Sequence, residues 1–250
     1  MSDIVVERSG NILSVQLNRP AKKNAMTSSM YITMAELLDG AAKDDQIRVA
    51  LWHGAGDSFS AGNDLEDFMK SPPGPGESPQ ARLTRALINF EKPLVAAVQG
   101  VAIGGGTTML AHCDFVYAGE SAKFQLPFVN LALVPEFGSS YLLPMRFGYT
   151  RAAELILLGG PFGASRAAEL GLVTQVVPDE SVLAAATETA RTLAKKSAAA
   201  LQASKRLMKR ALREQLEQAV KLENEVFAEL VRSDDAKQAF SAFFAKRQPA

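Results

Sequence analysis

The sequence predicts an α/β protein, with a covered, mostly parallel sheet interleaved with helices and a helical C-terminal part. Three observations predict it. β-rich apolar runs alternate with segments of helical spacing from residue 4 to residue 127, and that alternation builds parallel sheets covered by helices. From residue 149 onward the chain reads as nearly all helix, with "LVTQVV" (172–177) as the exception. Hydrophobic residues make up 47% and charged residues 22% of the 250 positions, which favours a packed core over disorder.

Each element has a local reason. "IVVERSGNILSVQLN" (4–18) places two β-rich runs around Ser9-Gly10-Asn11, which predicts a hairpin. "TSSMYITMAELLDGAAKD" (27–44) has apolar residues at helical spacing behind a Thr/Ser start. Met30, Met34, Leu37 and Leu38 read as the core face of that helix, with some as candidates for lining a tunnel. "IRVALWHGAG" (47–56) is a buried strand running into a glycine turn. "SPPGPGESP" (71–79) holds four prolines and two glycines and reads as a surface loop. The pattern resumes with a helix over 80–91, a strand over 93–100 and a helix over about 105–112. Short strands follow at "CDFVYAG" (113–119) and "AKFQLP" (122–127), then a helix over 138–147.

Charge and cysteine usage exclude several classes. Lys+Arg and Asp+Glu both count 27, so nothing global draws the chain to nucleic acid or an anionic membrane. The single cysteine, Cys113, cannot form an intramolecular disulfide; it fits a reducing compartment and reads as an inert core residue. The N-terminus lacks a basic flank followed by an apolar stretch, and no apolar run reaches spanning length, so a cytoplasmic globular protein is expected. His53 and His112 lack partners at ligand spacing, so no metal site is expected.

Two glycine turns offer backbone donors. "VQGVAIGGGTTMLAHC" (98–113) carries a strand through Gly104-Gly105-Gly106 into a helix. Bare N–H groups at such a turn suit an oxyanion, a phosphate, or simply tight packing. The dinucleotide spacing fails at Met109, and the Walker pattern lacks its lysine. In "GAGDSFSAGNDLEDF" (54–68), Ser60-Ala61-Gly62 leave the N–H of Asn63 accessible. Two such turns suggest one shared target, a carbonyl oxygen that becomes negative. Asp64 is a rival acid there, but it reads better as the cap of the following helix.

"RPAKKNAM" (19–26), "FSAGNDL" (59–65), "VQGVAIGGG" (98–106), "AKFQLP" (122–127) and "AAELGLV" (167–173) occur in order. With the tail "AFFAKRQPA" (242–250), they resemble the crotonase, or enoyl-CoA hydratase/isomerase, superfamily. The resemblance implies a spiral core of ββα units over 1–195 and a C-terminal helical region over 196–250, within one functional unit. It implies a homotrimer or dimer of trimers and an acyl-CoA substrate, with coenzyme A present only as part of the thioester. It also implies that the amides of Asn63 and Gly105 hold the thioester oxygen. Lys22, Lys23, Asn24 and Ala25 would lie along the adenine and phosphate end of the coenzyme. Ala61, Asp64, Leu65, Thr108 and Phe128 complete the implied substrate surface.

Hydratases of this family use two glutamates, and this chain has Thr108 and Phe128 at those positions. Instead, "LVPEFGSSYLLP" (133–144) resembles the Δ3,Δ2-enoyl-CoA isomerases, whose single acid would be Glu136. The chemistry agrees. Moving a double bond from C3 to C2 needs one proton taken from C2 and one returned at C4, which one carboxylate can do. Phe137, Phe128 and Val134 beside it should raise its pKa by desolvation. A hydratase or other crotonase-type enzyme is the first alternative, and an acyl-CoA-binding protein without turnover the second. Finally, "KKSAAALQASKRLMKRALR" (195–213) holds seven basic residues and no acid. It fits either a solvated helix face or a site where Lys205 meets the coenzyme's phosphates; no aromatic interleaves to suggest RNA.

Overall fold

The first two strands, β1 (Ile4–Ser9) and β2 (Ile12–Leu17), form the expected antiparallel hairpin in the computed structural model, which describes residues 2–70 and 76–245. Next to β2 lie β3 (Val49–Gly54), β4 (Leu94–Val98), β6 (Phe115–Gly119) and β9 (Gln175–Val177), joined in parallel. The sheet order is β1-β2-β3-β4-β6-β9. Strands β5 (Val101–Ile103), β7 (Lys123–Gln125) and β8 (Phe162–Gly163) make a second, smaller sheet.

The period of two along the central strands feeds two cores. Ala50, Trp52, Leu94, Ala96 and Val98 pack into the larger one, and Val49, Leu51, Val95 and Ala97 into the other. Both faces are covered, so β3 and β4 are apolar nearly throughout. Helix α8 (Val182–Ala194) covers the smaller core, where Ala186 and Ala190 allow close approach. On the other side, α1 (Ser28–Lys43) buries Met30, Tyr31, Met34, Ala35 and Leu38. The methionines and Leu38 are core, as their spacing suggested, and they do not border the cavity described below. Thr27 caps α1, accepting from the Met30 amide at 3.4 Å.

Helices α2 (Leu65–Lys70), α3 (Pro79–Asn89), α4 (Gly105–Thr108), α5 (Ser139–Phe147), α6 (Tyr149–Leu158) and α7 (Ala164–Glu169) link or flank the strands. The C-terminal helices are α9 (Ala198–Arg210), α10 (Arg213–Leu230) and α11 (Asp234–Ala245). Of the proline-rich loop, 71–75 lie outside the described residues, as do 246–250 of the tail.

Several short elements differ from expectation. The predicted helix over 105–112 is one α turn, α4, followed by a 3₁₀ turn at Met109–His112. The run 93–103 bends at Gly100, which has φ +58°, and so splits into β4 and an unanticipated β5. A side chain at Gly100 would meet the Asp57 carbonyl. "AKFQLP" supplies three strand residues to the second sheet, and "LVTQVV" supplies three to the first. Cys113 ends the 3₁₀ turn instead of lying in a strand; it is buried, and burial pushes its thiol up to about 12.

Candidate active site

The two glycine turns are stitched together by backbone pairing. Ser60 and Ala102 form a parallel bridge, as do Met26 and Asn63. Met26 donates to the Gly62 carbonyl at 2.7 Å and accepts from the Asp64 amide at 2.8 Å. Asn63, between them, has an amide with no acceptor among the described residues. The Gly105 amide also lacks one, since the first residue of a helix has no intrahelical partner. At Gly62, with φ +84°, a methyl group would stand 2.5 Å from the Ile103 carbonyl oxygen and 3.6 Å from the Gly105 nitrogen. Only glycine permits that approach, and the approach sets the two open amides side by side.

Glu136 faces this pair. A methyl on Gly105 would lie 2.9 Å from Glu136 Oε1 and 3.0 Å from the Tyr31 hydroxyl. Glu136 is 6% exposed, and its carboxylate accepts one side-chain hydrogen bond, from Asn63 Nδ2 at 3.3 Å. Burial pushes its pKa up to about 7; the Asn63 bond opposes the rise and the charge of Glu223 adds to it. Phe128 and Phe137 are buried beside it.

The surrounding shell fixes its geometry. Tyr31 on α1 donates to Asn63 Oδ1 at 2.7 Å, and Gln80 on α3 donates to the same oxygen at 3.4 Å. Their donation turns the Asn63 amide nitrogen toward Glu136. Burial, then the charge of Glu136, holds the Tyr31 hydroxyl well above its usual pKa, so it stays a neutral donor. The chain at Glu136 turns sharply, with φ +63° at Phe137. Ser139 Oγ donates to the Glu136 carbonyl at 2.6 Å. His112, pushed down to about 3 chiefly by burial, is neutral and donates from Nε2 to the Phe137 carbonyl at 2.7 Å. Sequence reasoning did not find Tyr31, Gln80, His112 or Glu223 as contributors. Tyr31 alone left a trace, as a hydroxyl on the apolar face of α1.

A cavity of about 480 Å³ opens from the amide pair. Lys22, Ala25, Ala61, Asp64, Leu65 and Phe128 line it with Asn63, Gly105 and Glu136, and α11 contributes Phe243 and Phe244. Asp64 borders the space but its oxygens are engaged. Arg19 donates to Oδ2 at 2.9 Å, and the amides of Glu66 and Asp67 donate to Oδ1 at 3.1 and 3.3 Å. Burial raises its pKa, yet these donors hold it below the usual range.

Four expected substrate contacts stand elsewhere. Asn24 is fully buried, with its side-chain amide donating to the Ala55 and Ser58 carbonyls at 2.8 and 2.6 Å. Lys23 pairs with Asp57 at 2.7 Å and is not on the cavity wall. Thr108 is fully buried with its hydroxyl donating to the Gly104 carbonyl at 3.3 Å, behind the wall. Lys205 is drawn inside the fold by a carboxylate. Its Nζ donates to Asp114 Oδ2 at 2.6 Å and to the Lys92 carbonyl at 2.7 Å. It borders a separate cavity of about 180 Å³, shared with Arg146 and Lys209.

Comparison with known proteins gives the family. Residues 7–250 match the family model described as enoyl-CoA hydratase/isomerase. The chain is 38% identical to the 1,2-epoxyphenylacetyl-CoA isomerase of Escherichia coli K12, over 95% of this chain and 94% of that one. It is 37% identical to the enoyl-CoA hydratase EchA19 of Mycobacterium tuberculosis, over 99% and 95%. The solved structure of Pseudomonas aeruginosa OdaA superposes with a TM-score of 0.94 at 44% identity, over 97% of this chain and 99% of that one. The family model and these relatives show that the chain belongs to the enoyl-CoA hydratase/isomerase family, as an enzyme of the crotonase fold.

Proposed function

We propose that the protein is a Δ3,Δ2-enoyl-CoA isomerase that works through Glu136 alone. The observation that carries this reading is Glu136, the one carboxylate that meets Asn63 and Gly105 among the described residues, while Asp64 is held by Arg19 and Glu66 pairs with Lys22 at 3.4 Å. The two positions where hydratases of the family carry acids hold Thr108, back-bonded to Gly104, and Phe128, an apolar wall residue.

In this mechanism the thioester oxygen sits between the amides of Asn63 and Gly105. Glu136 removes a proton from C2, the electron pair conjugates with the C3 double bond, and the charge of the dienolate moves onto that oxygen. The protonated carboxyl then returns the proton at C4, leaving the double bond between C2 and C3. A carboxylate raised to about 7 is a stronger base than an exposed one and is partly ionised at neutral pH. Lys22 takes the phosphate end of coenzyme A, which leaves with the product. The reading includes a homotrimer or dimer of trimers, supported by exposed apolar residues on α9 and α10 such as Met208 and Leu222. Sedimentation tests that assembly.

The deciding assay follows 3-enoyl-CoA and 2-enoyl-CoA spectrophotometrically with the purified protein. Conversion of the 3-enoyl to the 2-enoyl thioester should be far faster than hydration of the 2-enoyl thioester. Comparable or faster hydration moves the assignment to a hydratase, with Asp64 and Glu66 as the next acids to test. Binding without turnover of either leaves an acyl-CoA-binding protein.

A further inference from the structure

Helix α5 starts three residues beyond Glu136, behind Gly138, which brings no capping side chain of its own. The first amides of a helix need acceptors from outside. Here they come from the C-terminal helix α10. Glu223 Oε2 accepts from the Gly138 amide at 2.6 Å, and Oε1 accepts from the Ser140 amide at 2.7 Å. Glu223 is buried, and no lysine or arginine pairs with it among the described residues. A surface acid on an amphipathic helix does not need this arrangement.

An acid lying just before a helix is well placed to cap it. Glu136 is such an acid, and as a cap it would turn away from the cleft and ionise too easily to be a useful base. Glu223 takes those amides first. We propose that Glu223 is a positioning residue for the reaction: by occupying the amides of Gly138 and Ser140, it leaves Glu136 turned into the cleft with Asn63 as its single side-chain donor. The inference rests on Glu136 being the base of the proposed isomerisation.

No other charge around the pair has this role. Tyr31 on α1 and His112 on the 3₁₀ turn are neutral, and Asn63 and Gln80 carry no charge. On the elements packed around Glu223, Arg85 of α3 pairs with Glu77 at 2.7 Å and Lys221 of α10 lies 4.0 Å from Glu225. Glu223 is therefore the charge that adds to the burial of Glu136 in holding its proton.

The test is a titration that does not depend on which reaction the enzyme catalyses. Protein carrying ¹³Cδ-labelled glutamate is followed by NMR, with Glu136→Gln identifying the Glu136 signal. Glu223→Gln removes the charge and one acceptor; Glu223→Asp keeps the charge but is too short to hold both amides. Both should move the Glu136 midpoint to lower pH, Gln further than Asp, and the acidic limb of kcat/KM should move with it while kcat falls. Either variant that folds gives the answer. A lower Tm with the midpoint and pH limb unmoved overturns the proposal and leaves Glu223 a plain helix cap. If the wild type does not isomerise 3-enoyl-CoA but the midpoint still shifts, the isomerase assignment falls and the positioning of Glu136 by Glu223 stands.

Discussion

At the scale of the residue, Glu136 illustrates how stability and chemistry oppose one another. Glu136→Gln keeps the shape and the Asn63 contact but cannot take a proton from carbon. kcat should fall by about 10²–10⁴-fold with KM little changed. The wild-type kcat/KM should rise with pH to a plateau above the Glu136 midpoint of about 7. The same shift has a stability consequence. A carboxyl held near 7 in the fold and near the ordinary glutamate value of 4.5 in the unfolded chain keeps its proton longer when folded. Folding stability therefore falls as pH rises between those values, by roughly 3 kcal/mol in all, and is flat above them. Glu136→Gln should accordingly melt higher than wild type at pH 8 and show little difference at pH 4.5. A lower melt at pH 8 with retained kcat would make Glu136 a scaffold residue. This acid was legible in the sequence because it interrupts an apolar run. Glu223 was not, because α10 carries several acids at surface-like spacing and only the fold shows which one turns inward.

At the scale of the element, the proposed mechanism makes the two glycine turns one device, since neither amide alone defines an oxyanion site. Gly105→Pro deletes one donor and should lower kcat/KM by about 10²–10³-fold. A folded variant with wild-type turnover would take Gly105 out of the site. Gly105→Ala keeps the amide but puts a methyl 2.9 Å from Glu136 Oε1, so it should lower kcat by displacing the base. The turns were legible because glycine runs at strand ends have few uses. The hairpin, α1 and the central strands were legible from period and burial. The second sheet was not: β5 and β7 have three residues and β8 has two. Such runs are too short to show a period, and their pairing comes from long-range contacts.

At the scale of the whole molecule, two lysines tie the start of β4 to helices α1 and α9. Lys92 donates to the Ala41 and Asp44 carbonyls at 2.6 and 2.9 Å and so closes the C-terminal end of α1. Its own carbonyl accepts from Lys205 of α9. Asp114 receives both Lys205 and, at 2.8 Å, the amide of Leu94 at the start of β4. Composition could not separate this internal tie from a phosphate-facing lysine, because both fit the same basic run over 195–213. Energetics can. Lys205→Met keeps most of the aliphatic bulk and leaves the largely buried carboxylate of Asp114 without its cation. Breaking a buried pair in this way costs about 3–5 kcal/mol. The variant should show a clear drop in Tm, while KM for the acyl-CoA substrate stays at the wild-type value, because Lys205 does not border the cavity beside Glu136. A raised KM with an unchanged melt would return Lys205 to the coenzyme.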